Sequence, residues 1–111
     1  MSQPNSQPMM PLALLEWRSL KKNSLRGFAT VRIGKAMKVS DVSVHASNGK
    51  RWASLPSKPQ INKDGAVMKD ENGKVKYTPI VSWTDKESSE RFSEAVIAAI
   101  EAQYPGDTSG D

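Results

Sequence analysis

Apolar and polar residues alternate most regularly between Leu25 and Leu55. Three runs there, LRGFATVRI, AMKVSDVSVHAS and KRWASL, read as antiparallel strands, because alternation sends successive side chains to opposite faces. Asn48-Gly49 joins the last two. A two-residue type I′ turn needs positive φ at both positions, so Asn-Gly predicts a hairpin and fixes its register. Ser47 is expected opposite Lys50, His45 opposite Trp52, Val44 opposite Ala53 and Val42 opposite Leu55. Val42, Val44, Ala53 and Leu55 then share one face, while Ser43, His45, Trp52 and Ser54 share the other. The preceding strand sorts in the same way, with Ala29, Val31 and Ile33 on one side and Arg26, Phe28, Thr30 and Arg32 on the other. The predicted sheet has one aliphatic face and one face that mixes cations with aromatic rings.

The flanking sequence extends this unit. Leu12 to Ser19 is a short apolar run that fits a strand or a helical turn, and a strand is favoured because Lys21-Lys22-Asn23 resembles a turn into the next strand. Trp17 is expected at the edge of the core. Gly27 marks a bulge or a close backbone approach. Met37 and Val39 have the opposite parity to Val42 and Val44, which a bulge near Ser40 explains, unless the start of that strand lies beyond the core. Pro56 should end the sheet's last strand. The polar stretch from Ser57 to Lys76 holds two turn dipeptides, Asp64-Gly65 and Asn72-Gly73, and predicts a weak hairpin around Ala66 to Lys69 or disorder. Tyr77 to Trp83 reads as a further strand, at an edge or starting after Pro79. Thr84 and Glu87 fit a capping box, with Asp85 adding negative charge at the helix start. Phe92, Val96, Ala99 and Ile100 recur at helical spacing, Glu90, Glu94 and Glu101 lie on the opposite arc, and Pro105-Gly106 stops the helix. No internal repeat is apparent. Residues 1–11 and 105–111 read as disordered polar tails around one domain spanning 12–104.

Length changes the picture little, since 111 residues leave room for one core. A charged fraction of 25% with 37% hydrophobic residues suits a soluble globular chain. The absence of cysteine excludes disulfides and thiolate metal sites and fits a cytoplasmic location. The longest apolar run, Ala95 to Ile100, is far shorter than a bilayer span, and the N-terminal stretch lacks the basic region and cleavage site of a signal peptide. Charge distribution is more informative. Residues 1–58 hold 10 Lys/Arg against 2 Asp/Glu (+8), and residues 59–111 hold 6 against 10 (−4), giving the net +4. Such asymmetry points to a polyanion partner or to a merely solubilising surface.

The stretches LRGFATVRI, Asp41-Val42-Ser43-Val44 and Trp52 to Lys58 (WASLPSK), followed by Tyr77-Thr78-Pro79-Ile80 and a closing helix, resemble the stage V sporulation protein G (SpoVG) family. The resemblance runs from about Trp17 to Tyr104, and its most specific part ends in Pro-Ser-Lys at Lys58. It implies a small α+β homodimer that binds nucleic acid and regulates gene expression in bacteria. The chain departs from the family in a longer insert, Pro59 to Val75, and an extended N-terminal tail, features that would suit a phage or mobile-element homologue.

The candidate site is the basic-aromatic face: Arg26, Phe28, Arg32, His45, Lys50 and Trp52, with Arg51 and Lys58 clustered at the hairpin and its exit. Cations neutralise phosphates and release counterions, and flat rings stack on unpaired bases. Lys50, Arg51 and Lys58 are expected to touch phosphate without reading sequence. The competing reading buries Phe28 and Trp52 against a second subunit, and both hold if the rings sit at a dimer seam with the cations around it. Catalysis finds no support. His45 is the only histidine, and Asp41 on the same extended strand lies about 13 Å away, beyond hydrogen-bond reach. His45 is expected instead to pack on Trp52 across the hairpin. One histidine and scattered carboxylates offer no metal-ligand spacing, the glycines form no phosphate loop, and Glu87, Glu90, Glu94 and Glu101 make a solvated ridge. The expectation is an α+β fold: a twisted antiparallel β-sheet of four or five strands with one C-terminal α-helix packed on one face. It should bind DNA or RNA, single-stranded nucleic acid included, without catalysis. No metal, cofactor, membrane or small-molecule substrate is expected. The alternative is a protein-interaction or oligomerisation module.

Overall fold

The alternating runs form the strands they predict. A computed structural model describes residues 11–109. An antiparallel sheet takes the order β1 (Leu12–Lys22), β2 (Leu25–Ile33), β3 (Met37–Ser47) and β4 (Lys50–Ser54). One helix, α1 (Lys86–Gln103), packs on it, so the fold is α+β. Most of the expected N-terminal tail lies outside the described residues. Pro11 is described, and its carbonyl accepts a 2.9 Å hydrogen bond from the Gly34 N–H.

The turn Asn48-Gly49 has φ of 52° and 78°, the two positive values a type I′ turn requires. It pairs Ser47 with Lys50, His45 with Trp52, Val44 with Ala53 and Ser43 with Ser54. Leu55 lies beyond the end of the ladder, although it still packs against the core. Ala29, Val31, Val42, Val44 and Ala53 are buried beneath Phe92, Val96 and Ile100. Each large side chain removed from water contributes about 1.5–3 kcal/mol. Ser93 seals the sheet edge, where its Oγ accepts from the Ala53 N–H and donates to the Ala53 carbonyl, both at 3.0 Å.

The ladder slips where the parity does. Ala29 pairs with Val42 but Val31 with Val39, so Ser40 and Asp41 together oppose Thr30, and Asp41 takes φ of 58°. This bulge turns Val39 back toward the core. Gly27 is buried under Trp17, and a Cβ there would stand 2.6 and 2.8 Å from the indole ring, besides colliding with the Arg18 carbonyl oxygen.

Three features differ from the sequence expectation. The helix is capped by Asp85, not Thr84: its carboxylate accepts from the Ser88 N–H at 2.7 Å and from the Ser88 hydroxyl at 3.1 Å. Both residues are acceptable caps, and Asp85 wins by bonding two groups of Ser88. The strand expected over Tyr77 to Trp83 is only β6 (Tyr77–Pro79), paired with β5 (Ser57–Pro59) in a separate ribbon, so the main sheet has four strands. Beyond Pro79 the chain bends, and Trp83 packs on Phe92 with ring centroids 5.3 Å apart.

Third, the stretch between β5 and β6 contains an eight-residue repeat that its sequence conceals. Asn62 Oδ1 accepts from Asp64 N–H (2.9 Å) and Ala66 N–H (3.0 Å), and Asp70 Oδ1 accepts from Asn72 N–H (2.8 Å) and Lys74 N–H (3.0 Å). Each turn closes a hairpin, through the bridges Ile61–Val67 and Lys69–Val75. Gln60, Met68 and Lys76, spaced at the repeat length, then bond in a ring: Gln60 N–H to Lys76 C=O (2.8 Å), Met68 N–H to Gln60 C=O (2.9 Å) and Lys76 N–H to Met68 C=O (3.0 Å). Two hairpins and the β5–β6 stem thus meet at a three-way junction.

Two outcomes follow for stability. Gly27→Ala should destabilise the protein by about 1–3 kcal/mol, the usual range for forcing a group into a packed site, read from urea unfolding midpoints. Excising Met68–Val75 should let Lys76 take the place of Met68 opposite Gln60, fusing stem and first hairpin into one continuous ribbon. Its unfolding free energy should stay within about 0.5 kcal/mol of the parent, as for changes confined to the surface.

Candidate nucleic-acid interface

The sheet face turned away from α1 carries most of the predicted site. Phe28 and His45 are half-buried there, and Trp52 is 37% exposed. His45 and Trp52, paired across the hairpin, stack with ring centroids 5.4 Å apart and planes 11° from parallel. Ser24 Oγ lies 3.2 Å from His45 Nδ1 and Ser43 Oγ 3.2 Å from Nε2, so both ring nitrogens have hydroxyl partners. Burial, reinforced by the positive charge of Arg26, holds the His45 pKa below its ordinary value. The imidazole is therefore neutral at neutral pH, and its ring serves as a flat surface.

Phe28 has a partner that the sequence reading missed. Arg18 lies opposite it on β1 and places its guanidinium carbon 5.5 Å from the ring centroid, with an ion pair to Asp41 at 3.3 Å. Only the register between β1 and β2 reveals this contact. Arg18, Leu25, Phe28, Asp41, Ser43 and His45 form the floor of an open concavity of about 750 Å³. The chain beyond β4 completes its lining, with Leu55, Pro56, Tyr77 and Ile80. Tyr77 is 58% exposed and Ile80 63%.

The predicted cations separate into two groups. Arg32, Lys50 and Lys58 are exposed, Arg32 beside Lys38 on β3, Lys50 at the hairpin and Lys58 on the stem. Arg26 and Arg51 have other work. Leu25 pairs with His45 and Gly27 with Val44, so Arg26 is the extra residue of a bulge. Its Nε donates to the Ser24 carbonyl at 3.2 Å and its Nη2 to the Asn23 carbonyl, which ties down the β1–β2 turn.

Arg51 does not cluster with Lys50 and Lys58. It pairs with Ala46, whose side chain is buried, so alternation puts it on the helix side. There it donates to Thr108 Oγ1 at 3.0 Å and lies 3.5 Å from Glu101. Glu101 is consequently no part of a solvated ridge: it accepts from the Gly106 N–H at 2.6 Å, the Thr108 N–H at 3.1 Å and the Thr108 hydroxyl. Residues 105–109, expected as part of a disordered tail, close over the sheet instead. Thr108 is fully buried, and Asp107 accepts from Trp17 Nε1 at 2.5 Å and pairs with Lys21 at 3.2 Å. Gly110 and Asp111 lie outside the described residues.

Among the described residues no group of three or more His, Cys, Asp or Glu side chains could hold a metal, and no helix is long and apolar enough to cross a membrane. Comparison with known proteins finds no matching family model, no matching curated protein and no matching solved structure.

The C-terminal clasp should be acid-labile. Hydrogen bonds from Thr108 and Gly106 lower the Glu101 pKa, and those from Trp17 and Lys21 lower that of Asp107. The unfolded chain takes up protons near the ordinary carboxylate values of about 4, so this stabilisation is complete above that range. It is lost as pH falls through the lower folded-state values. Acid unfolding followed by Trp fluorescence should be less steep in Glu101→Gln/Asp107→Asn than in the parent, and an unchanged pH dependence would show the clasp to be inert.

Proposed function

We propose that this protein binds nucleic acid without catalysing a reaction, as a cytoplasmic regulator of gene expression of the stage V sporulation protein G type. The observation that carries the reading is the uncovered sheet face, where Phe28 and the His45–Trp52 stack lie beside exposed cations. Ring faces suit bases, and the exposed cations Arg32, Lys38 and Lys50 on the same face, with Lys58 on the stem, suit phosphates. Arg26 and Arg51 leave the list of phosphate contacts, because their guanidinium groups hold the β1–β2 turn and the C-terminal clasp.

A second reading, a dimer seam or protein-docking surface with no nucleic acid, is favoured by the exposed apolar side chains of Ile61, Val67, Met68, Tyr77, Ile80 and Val81. A homodimer is compatible with either reading when the cations stay at its margin.

The test reverses charge only where the fold does not use it. Lys38→Glu/Lys50→Glu/Lys58→Glu should keep the parent's unfolding transition and weaken its binding to labelled oligonucleotides. The slope of log K against log salt should become shallower by roughly 0.7–0.9 for each phosphate contact removed. A parent protein that binds neither single- nor double-stranded oligonucleotides, or binds them indifferently to salt, would discard the reading. Self-association that survives the reversal while no oligonucleotide binds would establish the second.

A further inference from the structure

The rings of the open face are not laid out on a flat platform. Phe28 and His45 line the concavity from the sheet, and Tyr77 and Ile80 line it from the chain beyond β4. The open concavity, of about 750 Å³, has room for a compact organic group. Tyr77 is positioned by β6, where it pairs with Pro59 at the base of the three-way junction. A backbone tied down on both sides, by the pair with Pro59 and by the Gln60–Lys76 hydrogen bond at 2.8 Å, makes it a built part of the lining.

This shape bears on which nucleic acid fits. In a duplex the faces of the bases are stacked inside, and only their edges reach the grooves. A ring lining a concavity meets a base face only when that base is unpaired or swung out of the helix. The guanidinium groups nearest the floor offer little to a duplex backbone: Arg18 faces Asp41 and the Phe28 ring, and Arg26 holds turn carbonyls. Nor do the hairpins resemble a ribbon built to enter a major groove. Between residues 61 and 75 the cations Lys63, Lys69 and Lys74 are matched by Asp64, Asp70 and Glu71. Lys50 is exposed on the same side of the sheet as His45, at the hairpin, and Lys58 and Lys76 are exposed on the stem and junction.

Building on the nucleic-acid reading above, we infer that the concavity takes an unpaired base of a single strand, with Tyr77 supplying a stacking surface across from Phe28. The substrate class is single-stranded nucleic acid, and Tyr77 is a contact residue outside the basic-aromatic face predicted from the sequence.

The experiment titrates the full chain with a labelled oligothymidine, and with a duplex carrying the same label, at one salt concentration. The parent should bind the single strand more tightly. Tyr77→Ala should weaken single-strand binding by about 5- to 150-fold, the equivalent of one stacked base, and leave duplex binding unchanged. Tyr77→Phe, which keeps the ring, should bind like the parent and also shows that the site tolerates substitution. Equal or tighter binding of the duplex, or an unaltered Tyr77→Ala, overturns this inference and leaves the nucleic-acid reading standing. A parent that binds neither oligonucleotide overturns both.

Discussion

A strand can hide only every second side chain beneath a single covering layer, and among the described residues one helix covers a four-stranded sheet. The 18 residues of α1 run for roughly 27 Å. They bury Ala29, Val31, Val42, Val44 and Ala53 and leave the alternate set on the far side. The tight turn at Asn48-Gly49 makes this division sharp, because a slip of one residue would exchange Val44 and His45 between oil and water. The open face, with its rings, is thus the geometric counterpart of the core.

Alternation also explains why neighbouring cations have unrelated roles. Lys50 and Arg51 are adjacent in sequence and point to opposite faces. One remains in solvent at the hairpin, while the other reaches the C-terminal turn. The clasp built there is polar, centred on a fully buried Thr108 whose hydroxyl donates to Glu101 and accepts from Arg51. It joins the two outer strands of the sheet, Trp17 and Lys21 on β1 and Arg51 on β4, through residues that follow the helix. Helix packing is thereby reinforced at the end farthest from the Asp85 cap.

Those parts of the fold governed by local periodicity were legible in the sequence: the four strands of the main sheet, the hairpin register, the bulge near Ser40 and the apolar stripe of α1. What escaped was set by contacts between distant residues or by competition between near-equal local choices. Arg51 could have been assigned by extending the parity from Val44 and Ala53. Its clustering with Lys50 came from sequence adjacency, which means little on a strand. Arg26 left the predicted row because the bulge that Gly27 marked falls on its N-terminal side, so that Leu25 takes the place opposite His45. The eight-residue repeat was hidden because its units share backbone geometry more than side chains: Asn62 and Asp70 do the same work, as do Gly65 and Gly73 with φ of 84° and 81°. Of the candidate site, the rings of the sheet and the His45–Trp52 pairing were legible, and the Arg18–Phe28 contact and Tyr77 were not. Tyr77 is reached only through the long connection after Pro59, whose path no periodicity describes.

Exposed aromatic rings on a sheet ordinarily invite aggregation or a partner, and here Trp52 and Phe28 each have a companion within the chain. Trp52 lies against His45, itself held between two serine hydroxyls, and Phe28 lies beneath the Arg18 guanidinium. These contacts fix the rings before any ligand arrives, so less side-chain entropy is lost on binding. They also leave the stacking surfaces without net attraction for phosphate, since His45 is held neutral and Arg18 faces Asp41. Under the proposed function, attraction over distance would come from the exposed cations Arg32, Lys38 and Lys50, and short-range fit from the rings. On that reading, a surface divided in this way would separate how strongly a polyanion is drawn in from which of its groups can be seated.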